Sequence, residues 1–398
     1  MTTAGYPTMI TNATTTYTIL SDQKVIDMAD KIYLLEPNAA PLYVLVSKLN
    51  KRVAINTKIE WIEDVLNPSW TTLTADVLST GTSITAADAI FNTNDLLKVP
   101  RSGEVMLVTS AHATLPVYLV TRGYVSSSFA VSSTAASAPL SANDNIVDIG
   151  SAFNEGSLAT ALTTMSTKTA HVWNYLQIFR KSVEITKTMA NVELYGGADR
   201  PYQRKKKGIE LMRDLERAFL FGVPNEVAAT PNRTTGGIDA YIQTVSTAMG
   251  GAMTESEWEG WLRSLFRYGS NARYVFAAPI VLSVISLWAQ GKLQMFPKDK
   301  TYGIAISQYI SPHGTINLVK ELMLENAGSP ASLSYYGGYA FGLELEDIVY
   351  RYLQNRDVAM ETDIQNPGDD IYKDQYICEV GMEFHNELKH GKVTGVTS

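Results

Sequence analysis

The sequence predicts an α+β chain: an extended arm, a long interrupted hairpin, one long helix, a mixed α/β region and a set of returning strands. Three observations carry that prediction. Apolar residues recur at helical spacing in 25–35 and again in 209–219. Residues 57–66 and 171–187 alternate at the strand period instead. Between those two strand runs lies a compositional island, about 76–165, of short apolar runs separated by turn residues, which reads as a small all-β module.

The first 20 residues, rich in Thr and poor in charge, read as an extended arm. Val25, Met28, Ile32 and Leu35 then form a helical stripe that stops before Pro37, because the residue ahead of a proline avoids the helical region. After Pro41 a second short helix carries Leu42, Leu45, Val46 and Leu49. Helices on a tether must bury these faces on something else, another subunit being one candidate. In the run TKIEWIEDVL, Ile59 and Trp61, with Val65 as a third candidate, point one way and Lys58, Glu60 and Ile62 the other; Asn67-Pro68-Ser69 ends it as a turn. Val172, Asn174, Leu176 and Ile178 alternate with Trp173, Tyr175 and Gln177, so the two runs are expected to pair as a hairpin with the island at its tip.

Within the island, VMLVTS (105–110) and PVYLVTRGYV (116–125) are the strand candidates, and the stretch 125–143 is rich in Ser, Ala and Thr. Between Val105 and Asn143 the only charged side chain is Arg122, which reads as a strand end or a local ion-pair member. The clearest helix follows, with Asp199 as its expected N-cap and Pro201 in the first turn. Ile209, Leu211, Met212, Leu215, Ala218 and Phe219 make its apolar stripe down to Gly222-Val223-Pro224, a rod of about 30 Å. Arg200, Arg204, Lys205, Lys206 and Lys207 crowd its N-terminal half, where the helix dipole disfavours cations. Either a solvated basic face or compensation by a partner anion or a neighbouring subunit's carboxylates accounts for them.

Thr254 and Glu257 have capping-box spacing ahead of a helix that places Trp258, Trp261, Leu262 and Leu265 on one face and ends at Gly269. A strand at 274–277, a helix over 280–290 ended by Gly291, and a strand near 315–319 complete the mixed region. The chain then returns to strands in LELEDIVYRYL (343–353) and YICEVGMEFH (376–385).

The composition argues against several chemistries. Cys378 is the single cysteine, so no internal disulfide framework or thiolate cluster is expected, and its apolar strand context reads as an inert buried thiol. The five histidines are dispersed; His385 and His390 alone are near each other, at a spacing that does not share a helical face. No metal site and no cofactor are expected. With no apolar stretch of about 20 residues, no membrane span is expected either. A net charge of −7 argues against bulk electrostatic capture of nucleic acid. GGYAFG (337–342) lacks the GK[ST] ending of a phosphate loop, Thr235-Gly236-Gly237 reads as a turn, and neither GxSxG nor HExxH occurs. The acidic stretch from Asp357 through Glu361, Asp363, Asp369 and Asp370 lacks calcium-loop spacing and reads as an exposed turn. No enzyme is expected from these residues.

The order of parts resembles the major capsid proteins of tailed bacteriophages with the Hong Kong 97-type fold, over nearly the whole chain. EPNAAPLYVLVSKLNKR (36–52) is similar to the arm segment of that family, TKIEWIEDVLNPS to the outgoing strand of its extended loop, and RYVFAAPIVLSVISLWAQGKLQ (273–294) to an axial strand and helix. The most specific run, LYGGADRPYQRKKKGIELMRDLERAFLFG (194–222), looks like the spine helix with its lead-in.

The resemblance implies an N-terminal arm at 1–52, an extended loop at 53–75 and 166–190, and an inserted β domain at 76–165. It implies a peripheral domain at 191–229 and 341–398 and an axial domain at 230–340. It further implies self-assembly as hexamers and pentamers into an icosahedral head around packaged double-stranded DNA, held without sequence specificity. The implied partners are a scaffolding protein, a portal and a decoration protein; the implied location is the virion, assembled in the bacterial host cytoplasm. Arg200, Arg204, Lys205, Lys206, Lys207, Trp61 and Tyr43 are the assembly-interface candidates. Because no charged helical segment precedes the arm, no cleaved leader and a separate scaffolding protein are expected. Three alternatives stay open: the shell of a cellular nanocompartment with the same fold, a surface protein whose β insertion binds glycan or a decoration protein, and an enzyme using Glu344 and Glu346 as paired carboxylates.

Overall fold

The structure, a computed structural model, describes residues 40–111, 116–124, 139–157, 167, 169–193, 198–227, 232–292, 296–301, 304–325 and 336–397. The helix expected over 25–35 and most of the Ser/Ala/Thr-rich stretch lie outside the described residues. In chain order the first elements are α1 (Pro41–Leu49), β1 (Lys51–Ala54), β2 (Lys58–Glu63), β3 (Trp70–Thr72), β4 (Ser83–Thr85), β5 (Asp95–Lys98), β6 (Val105–Ala111), β7 (Val117–Thr121) and β8 (Asn145–Ser151). There follow β9 (Ala170–Tyr175), β10 (Gln177–Thr186), α2 (Lys187–Asn191), α3 (Asp199–Phe221), β11 (Asn225–Val227), β12 (Asn232–Thr234), α4 (Ile238–Tyr241), β13 (Ser246–Gly251) and α5 (Glu255–Leu265). The last are β14 (Ala272–Ala277), α6 (Pro279–Lys292), β15 (Phe296–Thr301), β16 (Ile304–Ser311), β17 (Gly314–Lys320), β18 (Ala340–Leu343), β19 (Ile348–Leu353), β20 (Ala359–Glu361), β21 (Ile371–Phe384) and β22 (Gly391–Val396).

These elements form two compact units, one of residues 61–172 and one of the remainder. The larger unit holds two main sheets. One runs β1-β19-β21-β10, with β20 also pairing on β21, and its β1–β19 pair is parallel while β19–β21 and β21–β10 are antiparallel. The other is mixed and seven-stranded, in the order β13-β22-β18-β14-β17-β16-β15. Its parallel pairs, β13–β22 and β14–β17, require crossovers, and the chain between β14 and β17 supplies α6. The smaller unit is one antiparallel sheet, β3-β8-β5-β6-β7-β4, over a core of Leu73, Ile84, Phe91, Leu97, Met106, Tyr118 and Ile146 among others. The chain passes between the units along β2 and β9, which pair as a two-stranded ribbon.

The expected hairpin is therefore shorter than the alternation suggested. Ile59 and Trp61 are buried and Ile62 is exposed, as the pattern requires, but Val65 is exposed rather than buried. On the return strand Asn174 and Leu176 are buried, followed by Phe179, Val183 and Ile185, while Ile178 is exposed. The alternation changes phase between 176 and 179, where the chain leaves β9 for β10. A one-residue change of phase exchanges the two faces of a strand, so β10 turns its apolar side to a different neighbour and pairs with β21 from Gln177↔Val380 to Thr186↔Ile371. Residues 177–186 thus belong to a sheet of the larger unit.

Other boundaries move for similar reasons. LELEDIVYRYL is not one strand: a 3-10 turn at Leu345–Asp347 separates β18 from β19. This break sends β18 into the seven-stranded sheet and β19 into the other. β22 returns to the seven-stranded sheet beside β13. α6 runs through Gly291 to Lys292. The capping box of α5 is present in both directions, and Trp258, Trp261, Leu262 and Leu265 are all buried.

α1 is docked on its own chain rather than waiting for another subunit. Leu42, Tyr43, Leu45 and Val46 are buried and Leu49 is exposed. The Tyr43 ring lies 6.3 Å from Phe219 of α3 and 5.9 Å from Tyr350 of β19, an aromatic cluster that ties the helix to both elements.

Candidate functional site

α3 carries the densest group of candidate residues. It is 23 residues long, with Ala198 at the N-cap position and Asp199 as its first helical residue, so the helix begins one place earlier than expected. Leu211, Leu215, Phe219 and Leu220 face the core, and Met212 does not. The carboxylate of Asp199 in the first turn suits the helix dipole; the cations behind it are placed against it.

Their compensation comes from within the chain. Arg200 donates through Nε and Nη2 to the two carboxylate oxygens of Asp374, at 2.8 and 2.6 Å. The same Nη2 reaches Oδ1 of Asp363 at 2.6 Å. Arg204 donates from Nε to Asp374 at 2.8 Å, and the Asp363 backbone amide donates to Asp374 at 3.1 Å. Asp363 holds a left-handed φ of 57°, which turns the 357–370 loop back onto this group. The guanidinium of Arg200 also sits 4.6 Å from the ring centre of Tyr372. The Arg200 guanidinium beside the nearly inaccessible Asp374 holds that carboxyl well below the usual carboxylate range.

Lys207 pairs with Glu210 at 2.6 Å. Lys205 and Lys206 are exposed, and among the described residues no carboxylate pairs with either. The five expected cations therefore divide into two parts: a lock within the larger unit, made by Arg200 and Arg204, and a free pair at Lys205 and Lys206. Tyr43 and Trp61 are core residues of the subunit itself. Burial pushes the Tyr43 hydroxyl up to about 12, and Trp61 donates its indole N–H to Glu63 at 2.9 Å.

Sequence reasoning missed two acids that organise this region. Asp374 lies 170 residues from Arg204, and no local pattern links them. Glu216 was legible in part, because it falls on the buried face of α3 beside Leu215 and one turn before Leu220. It is fully buried and accepts the backbone amides of Leu42 and Tyr43 at 2.8 and 2.6 Å. It caps α1, whose own N-cap residue Ala40 has no side chain able to do so.

The remaining candidates do not assemble into a catalytic arrangement. Glu344 faces Arg273 at 3.2 Å in a buried ion pair, while Glu346 lies in the following 3-10 turn, so the two carboxylates do not share a strand face. His390 is fully buried, its Nδ1 accepting the Glu344 amide at 3.2 Å and its Nε2 near the His385 carbonyl at 3.1 Å. Burial pushes its ring down to about 3, so it is neutral at ordinary pH. Cys378 is buried and its thiol is pushed up to about 12, chiefly by burial. Arg122 makes a closed pair with Glu104 at 2.6 Å inside the smaller unit. Among the described residues no three metal-ligating side chains come together, and no helix is long and apolar enough to cross a membrane.

Asn174 is the one buried polar residue of the β9 pattern with a visible task. Its amide nitrogen donates to the Gly236 and Met382 carbonyls and its oxygen accepts the Gly236 amide. Gly237 follows against the end of α3, where an added Cβ would meet the Ala218 carbonyl at 2.7 Å. The Thr-Gly-Gly segment is thus a close-approach turn.

A chain in a solved structure of Mycobacterium phage Bobi is 7% identical, with 95% of this chain and 97% of that chain covered and a TM-score of 0.48. A capsid of a native GTA particle is also 7% identical, covering 95% and 97%, at a TM-score of 0.47. The SrpI encapsulin of Synechococcus elongatus PCC 7942 is 10% identical, covering 57% of this chain and 78% of that one, at 0.41. No curated protein matches the chain. The family model described as SU10 major capsid protein matches residues 9–397, nearly end to end, and the chain belongs to that family.

Proposed function

We propose that the chain is the repeating subunit of an icosahedral phage head, meeting its copies as hexamers and pentamers around packaged double-stranded DNA. Membership of a major capsid family, over residues 9–397, is the observation that carries this reading, and such a family is a structural class. Self-association into the virion shell follows from the family; the capsomer types, the scaffolding protein, the portal and a decoration protein are the finer part of the proposal.

The physical features are consistent with such a role. Large apolar side chains lie exposed along and beside the β2 strand, with Ile55 92%, Ile62 70% and Leu66 95% accessible. Exposed apolar side chains gain from burial against another protein. Shell subunits need several distinct interfaces at once, and these exposed side chains offer surface for them. Lys205 and Lys206 are free to meet a neighbour's acids or a DNA phosphate, without the base contacts that sequence specificity requires.

Electron microscopy of the purified chain tests the proposal. Closed shells, tubes or ring-shaped hexamers are the expected products, and a protein that stays monomeric at high concentration overturns it.

A further inference from the structure

The carboxylate that caps α1 has a second carboxylate beside it. Glu321 follows β17 directly and is as fully buried as Glu216. Its Oε1 accepts the Met323 amide at 2.9 Å, while its Oε2 has no hydrogen-bond donor among the described residues other than the neighbouring carboxyl. The two carboxyls face each other within hydrogen-bonding reach. No lysine or arginine among the described residues pairs with either.

We propose that Glu216 and Glu321 form a proton-operated catch for α1: the pair shares one proton while the helix is docked, and loss of that proton loosens α1 from α3.

The surroundings leave few other ways to balance the charge. α1 contributes two backbone amides and the Tyr43 ring, which lies in the aromatic cluster; its one cation, Lys48, is in its last turn, away from Glu216. On α3 the nearby Asp214 is occupied by Lys181 of β10 and by Arg217. The segment after β17 brings only Glu321 and the Met323 amide. Two oxygens of Glu216 and one of Glu321 are thus spent on amides, and the last oxygen must share a proton or face a like charge unprotected. Burial, and for Glu216 the facing Glu321 as well, holds the carboxyls above the usual range, so the docked state retains a proton that a released chain would give up. Where the folded state binds the extra proton, its advantage is largest at low pH and declines as pH rises through the shifted range. The inference concerns the single subunit and holds whether or not the chain builds a shell.

Hydrogen exchange of the purified protein, read as protection factors at about pH 5 and about pH 9, tests it. In the native sequence, protection over 40–49 is expected to fall at least about tenfold across that range while protection over α5 stays level. In Glu321→Gln, where a neutral amide donates to Glu216 permanently, the fall is expected to vanish. An unchanged native profile, an equal fall in α5, or a fall that persists in Glu321→Gln overturns the proposal. The native pH series alone decides the matter should the variant fail to fold.

Discussion

The residues of greatest consequence are acids placed far in sequence from the groups they hold. Asp374 takes three arginine contacts with a side chain 2% exposed, so Asp374→Asn leaves two guanidinium groups short of their anion. A loss of roughly 2–4 kcal/mol is expected in a urea titration. Because the folded-state carboxyl is held below its unfolded range, its contribution is present above about pH 4 and lost as pH falls. The gap between native protein and variant should therefore close in acid; a gap that widens toward low pH contradicts the lock. Glu104 and Arg122 are the same device in the smaller unit, with side chains 2% and 4% exposed. Glu104→Gln should cost roughly 3 kcal/mol, read as lost exchange protection across β3 to β8. Cys378, buried and with its thiol pushed up to about 12, should react with a thiol reagent at pH 8 only after denaturation. Rapid labelling of the native protein would show that β21 opens. None of these pairings was visible beforehand, since an Asp in a strand pattern does not announce which helix lies across from it. Glu216 was missed although a signal existed, since a charge on an apolar helical stripe points to a buried partner.

At the scale of elements, local chemistry was the better guide. Thr254 and Glu257 announced α5, and Thr254→Ala should cost about 1 kcal/mol in denaturant unfolding, a null effect there arguing that tertiary packing alone holds the helix. The apolar spacing placed α1 and α3 within a residue or two. What spacing did not reveal was the surface each element meets. The apolar face of α1 suited a neighbouring subunit as well as it suited α3; the Tyr43, Phe219 and Tyr350 cluster decided between them. Likewise the alternation from 171 to 187 read as one strand because a phase change of one residue is nearly silent in composition. It becomes meaningful only when β10 is seen to pair with β21.

On the scale of the whole molecule, the division into units gives the broadest test. Residues 61–172 contain a complete antiparallel sheet with its own buried core, so that segment expressed alone should give a dispersed amide spectrum and a cooperative melt. A disordered product would mean that the sheet depends on the rest of the chain. The sequence by itself determined the secondary structure of most segments, the β character of the island, the inert cysteine and the absence of any catalytic motif, and its ordered parts pointed to a capsid subunit. These follow from periodicity, capping and composition, which are properties of neighbouring residues. Only the tertiary structure decided that Arg200 and Arg204 are locked on Asp374, that Tyr43 and Trp61 are core, that β22 lies between β13 and β18 in the seven-stranded sheet, and that the buried Glu216 caps α1. Those facts depend on contacts between residues far apart in sequence, 174 positions for Leu42 and Glu216, and no local pattern encodes which distant group a folded chain will bring alongside.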